Sequence, residues 1–294
     1  MRVRRPVPPE TMAFLLASLI AGLFLASSMD LSARTLIFVL LVGVSLLGLP
    51  HGALDPLIAR QSGLWSTPSG FVAFNAIYLA IAAFILALWL LVPALALAAF
   101  LFISAWHFAG DWFDRTVPVA RLATGTALLC LPTLLHGDGV SGIYSILAGP
   151  AGAGLVPVQQ YLAGPAVLVS LVLGFIVQKP VKWSAIEILA AFLGALLFPP
   201  LVFFLIYFCG LHSPRHLIAH TRTLSGVVRP KPLMLYVLGY TAAALALLAS
   251  GFWGLNATGA AMNEALLRLV FIGLAALTVP HMLVLEYAER RSHG

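Results

Sequence analysis

Three histidines recur at four-residue spacing in HSPRHLIAH, residues 212–220, directly after the apolar run LVFFLIYFCG. On a helix, residues four apart rise about 6 Å and face nearly the same way, so His212 and His216 can offer two imidazole nitrogens to one ion. Pro214 stands between them and points to a new helical turn at His212. His51 in GLPHGALDP and His107 in SAWHFAGD can supply further ligands, and each is followed four residues later by a carboxylate, Asp55 or Asp111. Neutral imidazole suits iron, copper, nickel or zinc, whereas calcium and magnesium want oxygen ligands. Asp55 and Asp111 can hold the second nitrogen of a ligating imidazole, or one of them can complete a site of two histidines and a carboxylate. Four imidazoles in an apolar chain favour four nitrogen ligands. Spacing leaves the identity of the metal open.

Other polar residues near these motifs have two readings each. His281 in TVPHMLVLE either supports the site or packs. Tyr207, just upstream of His212, either lines a cavity or belongs to an aromatic core. Trp106 and Phe108 flank His107 and can shape a hydrophobic channel, although neighbours on a helix cannot all face one pocket. Arg215 has Asp55, Asp111 or a lipid headgroup to choose from. His220, beside Arg222, reads as headgroup-facing, His136 as external and His293 as part of the tail.

The elements that must position these residues are membrane helices. Of 294 residues 61% are hydrophobic and 9% charged, with a mean hydropathy of +1.03; a soluble domain carries roughly a quarter charged residues. Backbone groups in hydrocarbon must pair within their own segment, so each apolar run is predicted helical. Ten runs fall near 12–28, 34–50, 71–92, 94–110, 119–136, 160–178, 184–198, 200–220, 233–252 and 265–286. The seventh is short and meets the eighth at Pro199 and Pro200, so this pair reads as two spans, a broken helix or a re-entrant segment. The glycine-rich stretch 137–159 reads as an external loop, and MRVRRPVPPE as the flank of a retained first helix. Cys130 and Cys209, inside apolar runs, read as small hydrophobes. The whole chain, 1–294, is expected to be a single integral membrane domain in an all-α polytopic bundle.

Charge orients that bundle. With both termini cytoplasmic, the basic residues Arg2, Arg4, Arg5, Arg60, Arg115, Arg121, Lys179, Lys182, Arg215, Arg222, Arg229, Lys231, Arg290 and Arg291 fall inside, and Arg34 and Arg268 outside. This asymmetry is the positive-inside tendency, and it accounts for the net charge of +6 without a nucleic-acid partner. His51, His107, His212, His216 and His281 then all fall toward the ends of even-numbered spans. Those spans run in one direction, so residues up to 230 positions apart can meet near one membrane face.

The ordered set GLPHGALDP, SAWHFAGD, HSPRHL and PHMLVLE resembles the Brp/Blh family of membrane-bound beta-carotene 15,15'-dioxygenases. The family pattern has glycine directly after HF, where this chain has Ala109 and then Gly110. The resemblance implies that His51, His107, His212 and His216 bind non-haem ferrous iron, with Asp55 and Asp111 in support. It also implies a reaction of beta-carotene with molecular oxygen that gives two retinal molecules by central cleavage. The expected location of the chain is the inner (cytoplasmic) membrane of a cell. A two-iron desaturase would need more histidines, and no HxxHH occurs. The competing class is a transporter or carrier that uses the histidines to move a metal or protons. The sequence names no protein partner.

Overall fold

A computed structural model describes residues 6–27, 32–113, 116–177, 182–226, 228–257, 259 and 261–292. Arg2, Arg4, Arg5, Arg115, Lys179 and His293 lie outside the described residues, as does the side chain of Lys182. All regular structure among the described residues is helical.

Proline opens half of the α-helices among the described residues. The first helix, α1, is Pro9–Ala26, and α5 (Pro68–Leu91), α6 (Pro93–Phe108), α7 (Pro118–Cys130), α8 (Pro132–Ala153), α11 (Pro200–Tyr207) and α13 (Pro230–Ala257) also begin on proline. Its fixed φ suits the first turn, where the missing N–H has no helical partner anyway. Between these lie α2 (Ala33–Gly43), α3 (Leu49–Gly52), α4 (Asp55–Gln61), α9 (Leu155–Leu171), α10 (Lys182–Leu197) and α12 (Ser213–Ser225), and the chain closes with α14 (Met262–Ser292). Side chains cap the starts of α2 and α5: Ser32 Oγ accepts from Thr35 N and Thr67 Oγ1 from Gly70 N, both at 3.1 Å.

Among the described residues, eight helical stretches are long and apolar enough to cross a bilayer, including Ala33–Gln61, Pro93–Asp111, Pro200–Ser225 and Met262–Arg291. The bent pair α7 and α8, at 60°, adds a ninth, and the shorter Trp183–Leu197 lies in the seventh predicted run. The all-α polytopic expectation therefore stands, and the eight or nine spans among the described residues are roughly consistent with the ten expected. Side chains such as Leu23, Leu90 and Leu91 stay exposed on the outside, as lipid-facing residues do.

One expectation fails. Residues 137–159 are not a loop: they are helical through most of α8 and into α9, and Val140, Tyr144 and Leu147 are buried. Glycine lowers intrinsic helix propensity, but packing supplies what propensity lacks. Inside α8 the backbone leaves helical angles at His136, Ala148 and Gly149, where Gly149 takes φ +68 ahead of Pro150.

Two π turns carry the histidine motifs. Val44–Gly48 precedes α3 and Phe208–His212 precedes α12. Leu49 N–H bonds to Val44 O and Ser213 N–H to Phe208 O, each five residues back. In both places a proline follows by one residue, Pro50 or Pro214, and its ring removes the donor an α-helix would require.

Candidate metal centre

The ends of these helices bring five imidazoles together. His51 comes from α3, His107 from the last turn of α6, His212 from the π turn before α12, His216 from the first turns of α12 and His281 from α14. One nitrogen each of His51, His107 and His212 can be chosen so that all lie within 4.8 Å of one another, and all three residues are buried. His107 Nε2 and His212 Nε2 are 3.1 Å apart. That is about the separation of two neighbouring ligands on one ion with metal–nitrogen bonds of about 2.1 Å. The His212 and His216 rings lie 4.6 Å apart between centroids, so the four-residue spacing does put them on one face.

Hydrogen bonds orient the rings. Ser213 Oγ donates its single proton to the Leu47 carbonyl, so it can only accept from His51 Nδ1, 3.0 Å away. His51 Nε2 is thereby left with its lone pair. His212 Nδ1 lies 3.2 Å from both oxygens of Asp111, whose side chain is fully buried. Tyr207 Oη donates to Asp111 Oδ2 at 2.7 Å and lies 3.2 Å from the Phe108 carbonyl. Asp55 accepts from Tyr78 Oη at 2.8 Å and holds His281 Nδ1 at 2.7 Å. Each carboxylate therefore serves a histidine from another helix, not the one four residues before it. His216 Nε2 is buried 3.3 Å from Asp111 Oδ1, out of line for a hydrogen bond. Asp111, His212 and His216 form a second triplet of closely spaced donor atoms.

The donor set fits a metal ion that accepts imidazole: nitrogen lone pairs converge, carboxylates hold the outer nitrogens of two rings, and buried ring nitrogens lack protein partners. His51, His107 and His281 also form part of the wall of a cavity of about 550 Å³. Its other walls are mostly apolar, including Phe74, Phe100, Phe204, Phe208 and Leu274, with Asp55, Tyr78 and Ser104 near the histidines.

The remaining predicted residues sit elsewhere. Trp106 turns toward α7, where the Arg121 guanidinium lies 4.7 Å from its ring centroid and Arg121 Nε donates to its carbonyl. Arg215 Nη1 donates to the backbone carbonyl of Asp111 at 3.0 Å and Nη2 to Glu187 Oε1 at 2.7 Å. His220, expected to face headgroups, instead lies tilted beside His216, ring centroids 5.8 Å apart, with its Nε2 buried. His136 Nε2 is 3.2 Å from the Leu197 carbonyl, away from the cluster. Cys130 and Cys209 are free and buried.

Sequence reasoning missed Glu187. It is buried and accepts from Thr11 Oγ1, Trp112 Nε1 and Arg215, bracing the chain that carries Asp111. Its signal was a lone carboxylate inside the apolar run SAIEILAAF.

The bundle sets converging, carboxylate-held imidazoles, a donor set compatible with a metal ion, against an apolar cavity inside a polytopic helical protein. The chain belongs to the beta-carotene 15,15'-dioxygenase family, whose pattern matches residues 42–288. It is accordingly a carotenoid-cleaving dioxygenase, and the carrier alternative falls away. A beta-carotene 15,15'-dioxygenase from uncultured marine bacterium 66A03 is 29% identical over 253 residues, covering 84% of this chain and 92% of that protein. No solved structure matches the chain.

Proposed function

We propose that the protein cleaves beta-carotene across its central double bond with molecular oxygen, giving two retinal molecules at an iron site held by His51, His107, His212 and His216. The observation that carries this reading is the apolar cavity whose wall includes His51 and His107. Family membership supports the substrate. Ferrous iron, when bound, supplies the activation of dioxygen.

The chain's own residues do the rest. Asp111 and Ser213 fix the tautomers of His212 and His51, so that each ring keeps its Nε2 lone pair free for a metal. Tyr207 in turn holds Asp111. A hydrocarbon has no polar handle, so Phe74, Phe100, Phe204, Phe208 and Leu274 orient it by shape and exclude water. One carbon–carbon double bond breaks, two carbonyl bonds form, and both oxygen atoms come from dioxygen. No protein nucleophile is consumed and no proton is lost.

The same reading makes residues 1–294 one integral membrane domain of the inner membrane, with both termini cytoplasmic and substrate arriving from the lipid. The basic-residue asymmetry supports that orientation. Incubation of iron-loaded protein with beta-carotene under labelled oxygen gas tests the reaction. Retinal carrying the label is expected, after allowance for aldehyde exchange with water. Unequal apocarotenals would refute central cleavage, and no oxygen-dependent product from folded, iron-replete protein would refute the reaction itself.

A further inference from the structure

The centre contains the same chain of groups twice. In one, Tyr207 Oη donates to Asp111, Asp111 holds His212 Nδ1, and His212 Nε2 faces His107 Nε2 at 3.1 Å. In the other, Tyr78 Oη donates to Asp55 Oδ2, and Asp55 Oδ1 holds His281 Nδ1 at 2.7 Å. Both carboxylates are buried, both take a tyrosine hydroxyl on one oxygen, and both fix an imidazole by Nδ1. What differs is the far nitrogen. His281 Nε2 is buried and has no hydrogen-bond partner among the described residues.

The ring that carries this orphan nitrogen packs edge-on against two of the clustered histidines and lies outside the tightest triplet, His51, His107 and His212. The His281 ring centroid lies 5.0 Å from that of His51 and 5.5 Å from that of His107, at 84° and 88° to their planes. A histidine kept only for packing would lose hydration at Nε2 and gain nothing for it. With Nδ1–H given to Asp55, the neutral ring carries its lone pair at Nε2, the arrangement of a metal-ligating histidine held by a carboxylate. His281 is also more secluded than His216, with side chains 4% and 19% exposed. His216 turns its Nε2 toward Asp111, whereas His281 lines the cavity beside His51 and His107.

We infer that His281 is a further nitrogen donor to the metal, positioned by Asp55 and Tyr78. The inference rests on the proposed metal site and extends it beyond the four histidines of the motifs. It also gives the His–Asp offset in GLPHGALD a purpose: His51 and Asp55 sit on consecutive short helices so that one ligates while the other holds a ring from α14.

The test uses full-length protein in detergent, stripped of metal and titrated with cobalt(II), whose visible absorption reports ligand number and type. His281→Gln is expected to weaken binding by at least about 10-fold and to change the absorption bands, while X-ray absorption loses one imidazole. Asp55→Asn is expected to weaken binding roughly 10- to 100-fold, and Tyr78→Phe by less, with the fold kept. Wild-type affinity and spectrum in His281→Gln, alongside loss of both in His212→Gln, would overturn the inference and leave the four-histidine site standing. Should His281→Gln fail to fold, wild-type affinity and spectrum in both Asp55→Asn and Tyr78→Phe would overturn it equally. A wild-type protein that takes up neither cobalt nor iron would overturn the metal site itself, and this inference with it.

Discussion

At the scale of single residues, the histidines were legible because imidazole is rare in a chain this apolar and has few roles there other than ligation, proton handling or helix pairing. Their partners were not. Asp55 and Asp111 lie four residues after His51 and His107, yet they hold His281 and His212, because a side chain's hydrogen bond depends on which helix is packed opposite it. These assignments predict graded effects on bound iron. Replacing His107 or His212 by alanine is expected to remove most of it, and Asp111→Asn to lower affinity roughly 10- to 100-fold. His136→Ala, whose ring contacts only the Leu197 carbonyl among the described hydrogen-bond partners, is expected to keep wild-type iron. Elemental analysis of the folded variants in detergent checks all four, and full iron in His212→Ala would remove that residue from the site.

At the scale of elements, prolines that should interrupt helices are instead accommodated by π turns one register before them, so α2 continues into the His51 motif and α11 into the His212 motif without leaving the bundle. The sequence announced the prolines but not that remedy. Nor did it announce the helices across 137–159, where burial of Val140, Tyr144 and Leu147 supplies packing that no propensity scale counts. Close packing also governs the end of α6. A Cβ at Gly125 of α7 would stand 1.7 Å from the Ala105 carbonyl oxygen, two residues before His107. Gly125→Ala must therefore push α6 and α7 apart. Thermal unfolding in detergent is expected to report a loss of about 1–3 kcal/mol, as for other overpacked sites, together with reduced iron occupancy. Unchanged stability and iron would mean that the contact between α6 and α7 does not position His107.

At the scale of the whole molecule, the two basic ends of the second and last long helices meet: the Arg291 guanidinium lies 3.7 Å from where a Cβ on Gly63 would stand, close in sequence to Arg60. Labels at positions 60 and 291 are thus expected on the same membrane side in intact cells, the cytoplasmic one by charge. Opposite sides would break both the packing and the topology. Composition alone determined that this is a helical membrane protein, since hydrocarbon forces every span to satisfy its own backbone. The parity of the spans determined that the histidine motifs could share one end of it. Only the tertiary structure decided which carboxylate holds which ring, that Trp106 faces Arg121 and not the cavity, that Glu187 braces Arg215, and that His281 packs against His51 and His107 with a buried nitrogen that has no hydrogen-bond partner among the described residues. Periodicity along a helix specifies which residues share a face; which two faces meet, and at what height, is set by packing between distant segments, and no spacing within one segment encodes it.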